Sequence, residues 1–175
     1  MHAKSALRVV LKWIDFRPDS VIADVIPLEA YLIPSEKDWK RPSDAIDLDA
    51  ECAYRNFNGK SHAEAAEMFV ESPLVYQEDL MWMPLSCFQF YVRAYIEYLK
   101  SDKSIDDPDA SNSFLPLVTF RLHQIRRLPD ELKTEILDAV RFLGDNQQRY
   151  GADTEIYGSF RDHAKRILAK SDTVS

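Results

Sequence analysis

A chain of 175 residues with 46% hydrophobic content is long enough to bury one core without covalent staples, and it is too apolar for general disorder. The formal charge of -7, with a pI near 5.1, argues against nucleic acid or an anionic membrane as partner, since both require clustered lysine and arginine, and leaves a basic protein as the natural complement. The two cysteines, Cys52 and Cys87, belong to no CxxC pair, which predicts a reducing, cytoplasmic setting without disulfides, metal or cofactor.

Residues 1–18 read as an amino-terminal appendage. Leu7, Leu11 and Ile14 recur at helical spacing, while the β-branched content of RVVLKWI also permits a strand. Arg8, Lys12 and Asp15 interrupt any signal-peptide core, and no uncharged run of membrane-spanning length follows. Residues 19–170 then read as one helical domain. An apolar segment between Asp19 and Leu32 predicts a helix interrupted at Pro27, where the ring removes a donor and crowds the preceding turn. Pro34 and Pro42 bracket the loop that follows.

Acidity is concentrated in the first part: residues 1–80 carry 15 acidic and 9 basic side chains, against 14 and 13 in residues 81–175. Asp44, Asp47, Asp49 and Glu51 lie beside Trp39 and Tyr54. On a helix Asp44, Asp47 and Glu51 would share one face, so this stretch is the candidate surface for a basic partner, and a solvated helix face is its plain alternative. An EF-hand is not expected, because the glycine turn and terminal glutamate of such a loop are missing.

Gly59 supplies a bend, and Ser61 followed by Glu64 predicts a capping box at the start of a helix running to about Glu71. Pro73 ends that helix. Residues 81–99, MWMPLSCFQFYVRAYIEYL, read as one helix that is apolar around most of its circumference, with Pro84 in its first turn. On a wheel of about 100° per residue, Ser86, Gln89, Arg93, Glu97 and Lys100 form one narrow polar strip. Phe88, Val92, Tyr95, Ile96 and Leu99 make one buried face, and Cys87, Tyr91, Ala94 and Tyr98 an adjoining one. Two faces imply a central position, and Tyr91, Tyr95 and Tyr98 should bring their hydroxyls to polar partners.

The polar stretch SDKSIDDPDASNS is the clearest break in the chain. Beyond it, residues 114–128 and 129–143 predict a helical hairpin, the second helix carrying Leu132, Ile136, Val140 and Leu143 on one stripe. Residues 145–151 form a turn. Ile156, Phe160, Ala164 and Ile167 mark a last helix, and residues 171–175 a disordered tail. The fold expected is mainly α: a single-domain bundle of about six helices around the aromatic-rich helix 81–100.

Within that helix FQFYVRAYI, residues 88–96, resembles the FRYYLPAYL-like signature of a family of small bacterial proteins of unknown function. The likeness extends loosely from Tyr31 through Gly59, Lys60, Ser61 and Glu64 to Phe142 and Leu143. Arg93 stands where the signature has proline, so the kink that proline would impose is not expected. The resemblance implies no catalytic residues. The acidic single-domain layout is similar, in general character only, to the immunity proteins of bacterial toxin systems.

No enzyme is expected. His62 and Glu64 form an HxE pair, but a zinc deaminase needs two further cysteines in PCxxC spacing, and Cys87 stands alone in an apolar helix. His163 reads as a boundary residue with a backbone partner, and His123 as a polar-face residue. Neither GxGxxG nor the phosphate-loop pattern occurs. Arg121 breaks the pattern most, since it falls between Phe114, Leu117, Ile125 and Leu128 on an apolar arc. It predicts either an internal ion pair with Glu78 or Asp79, or an anion anchor in a ligand pocket. Two functions therefore remain: an immunity- or antitoxin-like protein that covers a basic partner, and a ligand-binding or regulatory domain built around Arg121.

Overall fold

The computed structural model describes residues 32–40 and 47–172. The appendage 1–18, the helix expected around Pro27, Asp44 and residues 173–175 lie outside the described residues. Within them the chain is mainly α, a single domain of eight helices with no strand.

Local chemistry sets the helix boundaries. The first helix, α1 (Leu48–Phe57), starts at Asp47, whose carboxylate accepts from the Ala50 amide at 3.1 Å. Gly59, at φ 75°, turns the chain into α2 (His62–Glu71). There the expected capping box is present: the Glu64 amide donates to Ser61 Oγ at 3.3 Å, and the Ser61 amide donates to Glu64 Oε2 at 2.8 Å. Pro73 opens α3 (Pro73–Trp82), and α4 (Leu85–Lys100) follows.

The expected single helix from residue 81 is thus two. Met83 is extended at ψ 154°, and Pro84 caps α4 from outside its first turn. The ring of Pro84 disfavours helical backbone at Met83 and lacks the N–H that would continue α3. From Leu85 onward α4 runs without interruption, as expected with Arg93 in place of proline.

The loop after α4 is shorter than its composition predicts. Asp107 accepts from the Ala110 amide at 3.0 Å and starts α5 (Pro108–Ile125) inside the polar stretch. Then α6 (Asp130–Asp145) buries the predicted stripe of Leu132, Ile136, Val140 and Leu143. Gly158, at φ 73°, divides the last helix into α7 (Thr154–Tyr157) and α8 (Phe160–Asp172). Ile156 therefore sits on the short α7, exposed, and not on the stripe of Phe160, Ala164 and Ile167. The described residues thus hold eight helices, with α1, α3 and the short α7 in addition to the runs expected.

At the centre, α4 buries both predicted faces, and Phe90 besides. Tyr95 stacks on Phe69 of α2 with centroids 4.5 Å apart and meets the edge of Phe114 of α5 at 5.5 Å. Phe57 of α1 approaches Tyr91 at 4.9 Å. Each central tyrosine finds the polar partner expected of it. Tyr91 donates to the Phe57 carbonyl at 2.6 Å, Tyr95 to the Ala110 carbonyl at 2.7 Å, and Tyr98 to Asp107 Oδ2 at 2.5 Å. On the far side α6 and α8 pack closely at Gly144, where a Cβ would stand 2.9 Å from that of Ala164. No helix among the described residues is long and apolar enough to cross a membrane.

Candidate functional site

Arg121 is 3% exposed and belongs to the frame of the fold. Its guanidinium donates to the Met81 carbonyl at 2.9 Å, to the Met83 carbonyl and to Gln124 Oε1 at 2.6 Å, and its carbon lies 4.5 Å above the Phe88 ring. Two of these acceptors are carbonyls where α3 ends, and the break at Met83 leaves them without the amides of a continuing helix. Arg121 therefore serves as a cap supplied from another helix, with a cation–π contact beneath it. Asp79, one of the two carboxylates expected for it, instead accepts from Asn56 Nδ2 at 2.7 Å and ties α1 to α3. Burial pushes the Asp79 carboxyl above its ordinary pKa.

The acidic stretch resolves into different roles. Asp47 is the cap of α1, so it does not lie on a helical face with Glu51. Trp39 is 8% exposed, packed against Tyr54 at 5.5 Å and Tyr91 at 6.2 Å, and is core where a contact surface was expected. Its position depends on residues 32–40 folding back onto α4, a tertiary event that local spacing does not reveal. Asp49 and Glu51 remain exposed in the first turn of α1, beside Leu48 at 72% exposure. Neither carboxylate has an ionic partner among the described residues.

A cleft of about 400 Å³ lies over the polar strip of α4. Its floor is Ser86, Gln89, Phe90 and Arg93; residues 32–34 and Asp38 form one wall, and Pro129, Glu131 and Leu132 the other. Ser86 Oγ donates to the Asp38 carbonyl at 2.8 Å, with the Cys87 thiol at 3.4 Å, which pins this segment to the start of α4. Arg93 is committed to its neighbours: Nε donates to Glu135 Oε2 at 3.0 Å and Nη1 to the Gln89 carbonyl at 3.2 Å. The hydroxyl and amide of Ser35 donate to Asp38 and hold its carboxyl below the ordinary pKa. Neither Asp38 nor Glu131 is ion-paired among the described residues. The acids continue outside the cleft on α6, where Asp130 pairs with Lys133 and Asp138 with Arg141.

Sequence spacing missed this cleft, because its walls come from residues nearly a hundred positions apart. One signal pointed to its floor, the polar strip on an otherwise buried helix.

The side chains with nucleophilic or acid–base potential are dispersed. Burial pushes the Cys87 thiol up to about 12, which removes the thiolate a nucleophile needs. His62 lies 3.3 Å from Glu97 on the surface. His163 Nε2 meets Thr119 Oγ1 at 3.1 Å, a side-chain hydroxyl where a backbone partner was expected. Thr119 already donates to the Leu115 carbonyl at 2.9 Å, so the imidazole nitrogen is the donor. Burial and the nearby Arg166 hold His163 below its ordinary pKa. Among the described residues no group of three or more His, Cys, Asp or Glu could hold a metal ion. Comparison of the chain with family models, with curated proteins and with solved structures finds no match.

Proposed function

We propose that the protein is a non-enzymatic binding module of immunity or antitoxin character, whose acidic surface covers a basic protein. The observation that carries this reading is the exposure of Asp49 and Glu51, without ionic partners among the described residues, next to the exposed Leu48. An acidic rim around an apolar contact steers a basic partner and then offers it a surface to dehydrate. The net charge of -7 acts in the same direction. The contacts that hold Arg121 support a structural role for that residue over the anion-anchor alternative, and Arg121 lines neither the cleft nor the acidic rim.

The test is association with the product of the adjacent gene, measured at low and physiological salt. Reversing Asp49 and Glu51 to lysine should slow association about tenfold at low salt and flatten its salt dependence. Association rates equal to those of the unaltered protein at both salts would discard the reading.

A further inference from the structure

We propose that the cleft over α4 seats a lysine or arginine side chain, flanked by aliphatic residues, from an extended segment of the basic partner. This rests on the protein-binding reading above and adds a second, more specific contact to it. Arg93, the cation in the cleft, is engaged by Glu135 and the Gln89 carbonyl, so the open charge there is that of Asp38 and Glu131 on opposite walls. An anion would meet two carboxylates, whereas a cation reaches Glu131 while its methylene stem lies along apolar wall.

The walls suit that stem. Leu32 and Ile33 are 64% and 45% exposed on one side, and Pro129 and Leu132 line the other. A cleft of about 400 Å³ is large enough to take individual side chains of a segment that runs over it.

The test is selection of short linear peptides, displayed on phage, against the full chain. The expected binders carry lysine or arginine beside aliphatic residues and lose about tenfold in affinity to Glu131→Gln, which removes only the charge, and more to Glu131→Lys. They should bind Asp49→Lys and Glu51→Lys unchanged. Neutral or acidic binders, or basic binders indifferent to Glu131, would overturn the proposal. Basic binders sensitive only to Asp49 and Glu51 would overturn the cleft and leave the protein-binding reading standing. A synthetic peptide of residues 5–16 that competes in a Glu131-dependent manner would assign the cleft to the chain's own amino-terminal segment and also overturn the partner assignment.

Discussion

The two sides of α4 treat polar groups in opposite ways. On the enclosed side Tyr91, Tyr95 and Tyr98 each close onto an oxygen, and Arg121 from α5 closes the carbonyls left by the break at Met83 and Pro84. On the outer strip Ser86, Gln89 and Arg93 floor a cleft where Asp38 and Glu131 keep carboxylates free of ionic partners among the described residues. A buried donor or acceptor without a partner costs about 1–3 kcal/mol, which favours closure inside. Outside, water satisfies the carboxylates until something displaces it. That contrast assigns stability to one side and recognition to the other, and substitutions should separate the two.

The largest effect is expected at Arg121. Replacement by methionine keeps the apolar stem but leaves the Met81 and Met83 carbonyls without their cap, so unfolding in urea should show a loss of about 3 kcal/mol, with the affinity for basic peptides unchanged. Arg121→Lys, which retains charge but not the fork, should fall between the two. An altered affinity with unaltered stability would reverse the assignment of this residue.

Tyr91→Phe comes next. The hydroxyl reaches both the Phe57 and Lys60 carbonyls, which ties the turn between α1 and α2 to the central helix. Its removal should lower stability by about 1.5 kcal/mol, measured the same way, because the ring contacts with Phe57 and Phe90 persist. Ser61→Ala should cost about 1 kcal/mol through the lost cap of α2.

The residues in these predictions differ in how far spacing alone exposed them. Ser61 with Glu64 was legible, since a capping box is local and both halves lie within four positions. The two faces of α4 and the pairing of its tyrosines were legible too, as consequences of periodicity and of the rule that buried hydroxyls find partners. Pro84 fits a first-turn proline by spacing, and only its steric demand on Met83 argues for a boundary there. Asp47 read as a face residue because its distance from Glu51 fits a helix, yet the same aspartate makes a better cap. The burial of Trp39 and the walls of the cleft were not legible. Both depend on residues 32–40 returning to α4, and no local pattern encodes that contact.

Asp79→Asn should change stability in the opposite sense. The folded state raises the pKa of this carboxyl above its ordinary 3.8, so the native protein holds the proton to higher pH than the unfolded chain does. The stability it contributes is complete below the ordinary carboxylate pKa and is lost as pH rises through the folded value. Asparagine can still accept from Asn56 Nδ2 and carries no charge to desolvate. The variant should therefore match the wild-type chain in acid and exceed it at neutral pH, as thermal unfolding followed across that range would show. A constant difference at all pH values would mean that the Asn56 contact, and not ionisation, dominates at Asp79.

The smallest effect on stability is expected where the effect on binding is largest. Asp49 and Glu51 occupy the amino-terminal turns of α1, where the helix dipole favours negative charge by about 0.3–1 kcal/mol at an exposed site. Reversing Glu51 alone should cost about 0.5 kcal/mol, since Asp47 still caps the helix and no ion pair among the described residues is broken. Titration of the partner protein against this variant then reads the surface without disturbance from the fold. If Glu51→Lys unfolds the chain as readily as Arg121→Met, the outer acids support the frame just as the inner arginine does, and the division between the two sides of α4 fails.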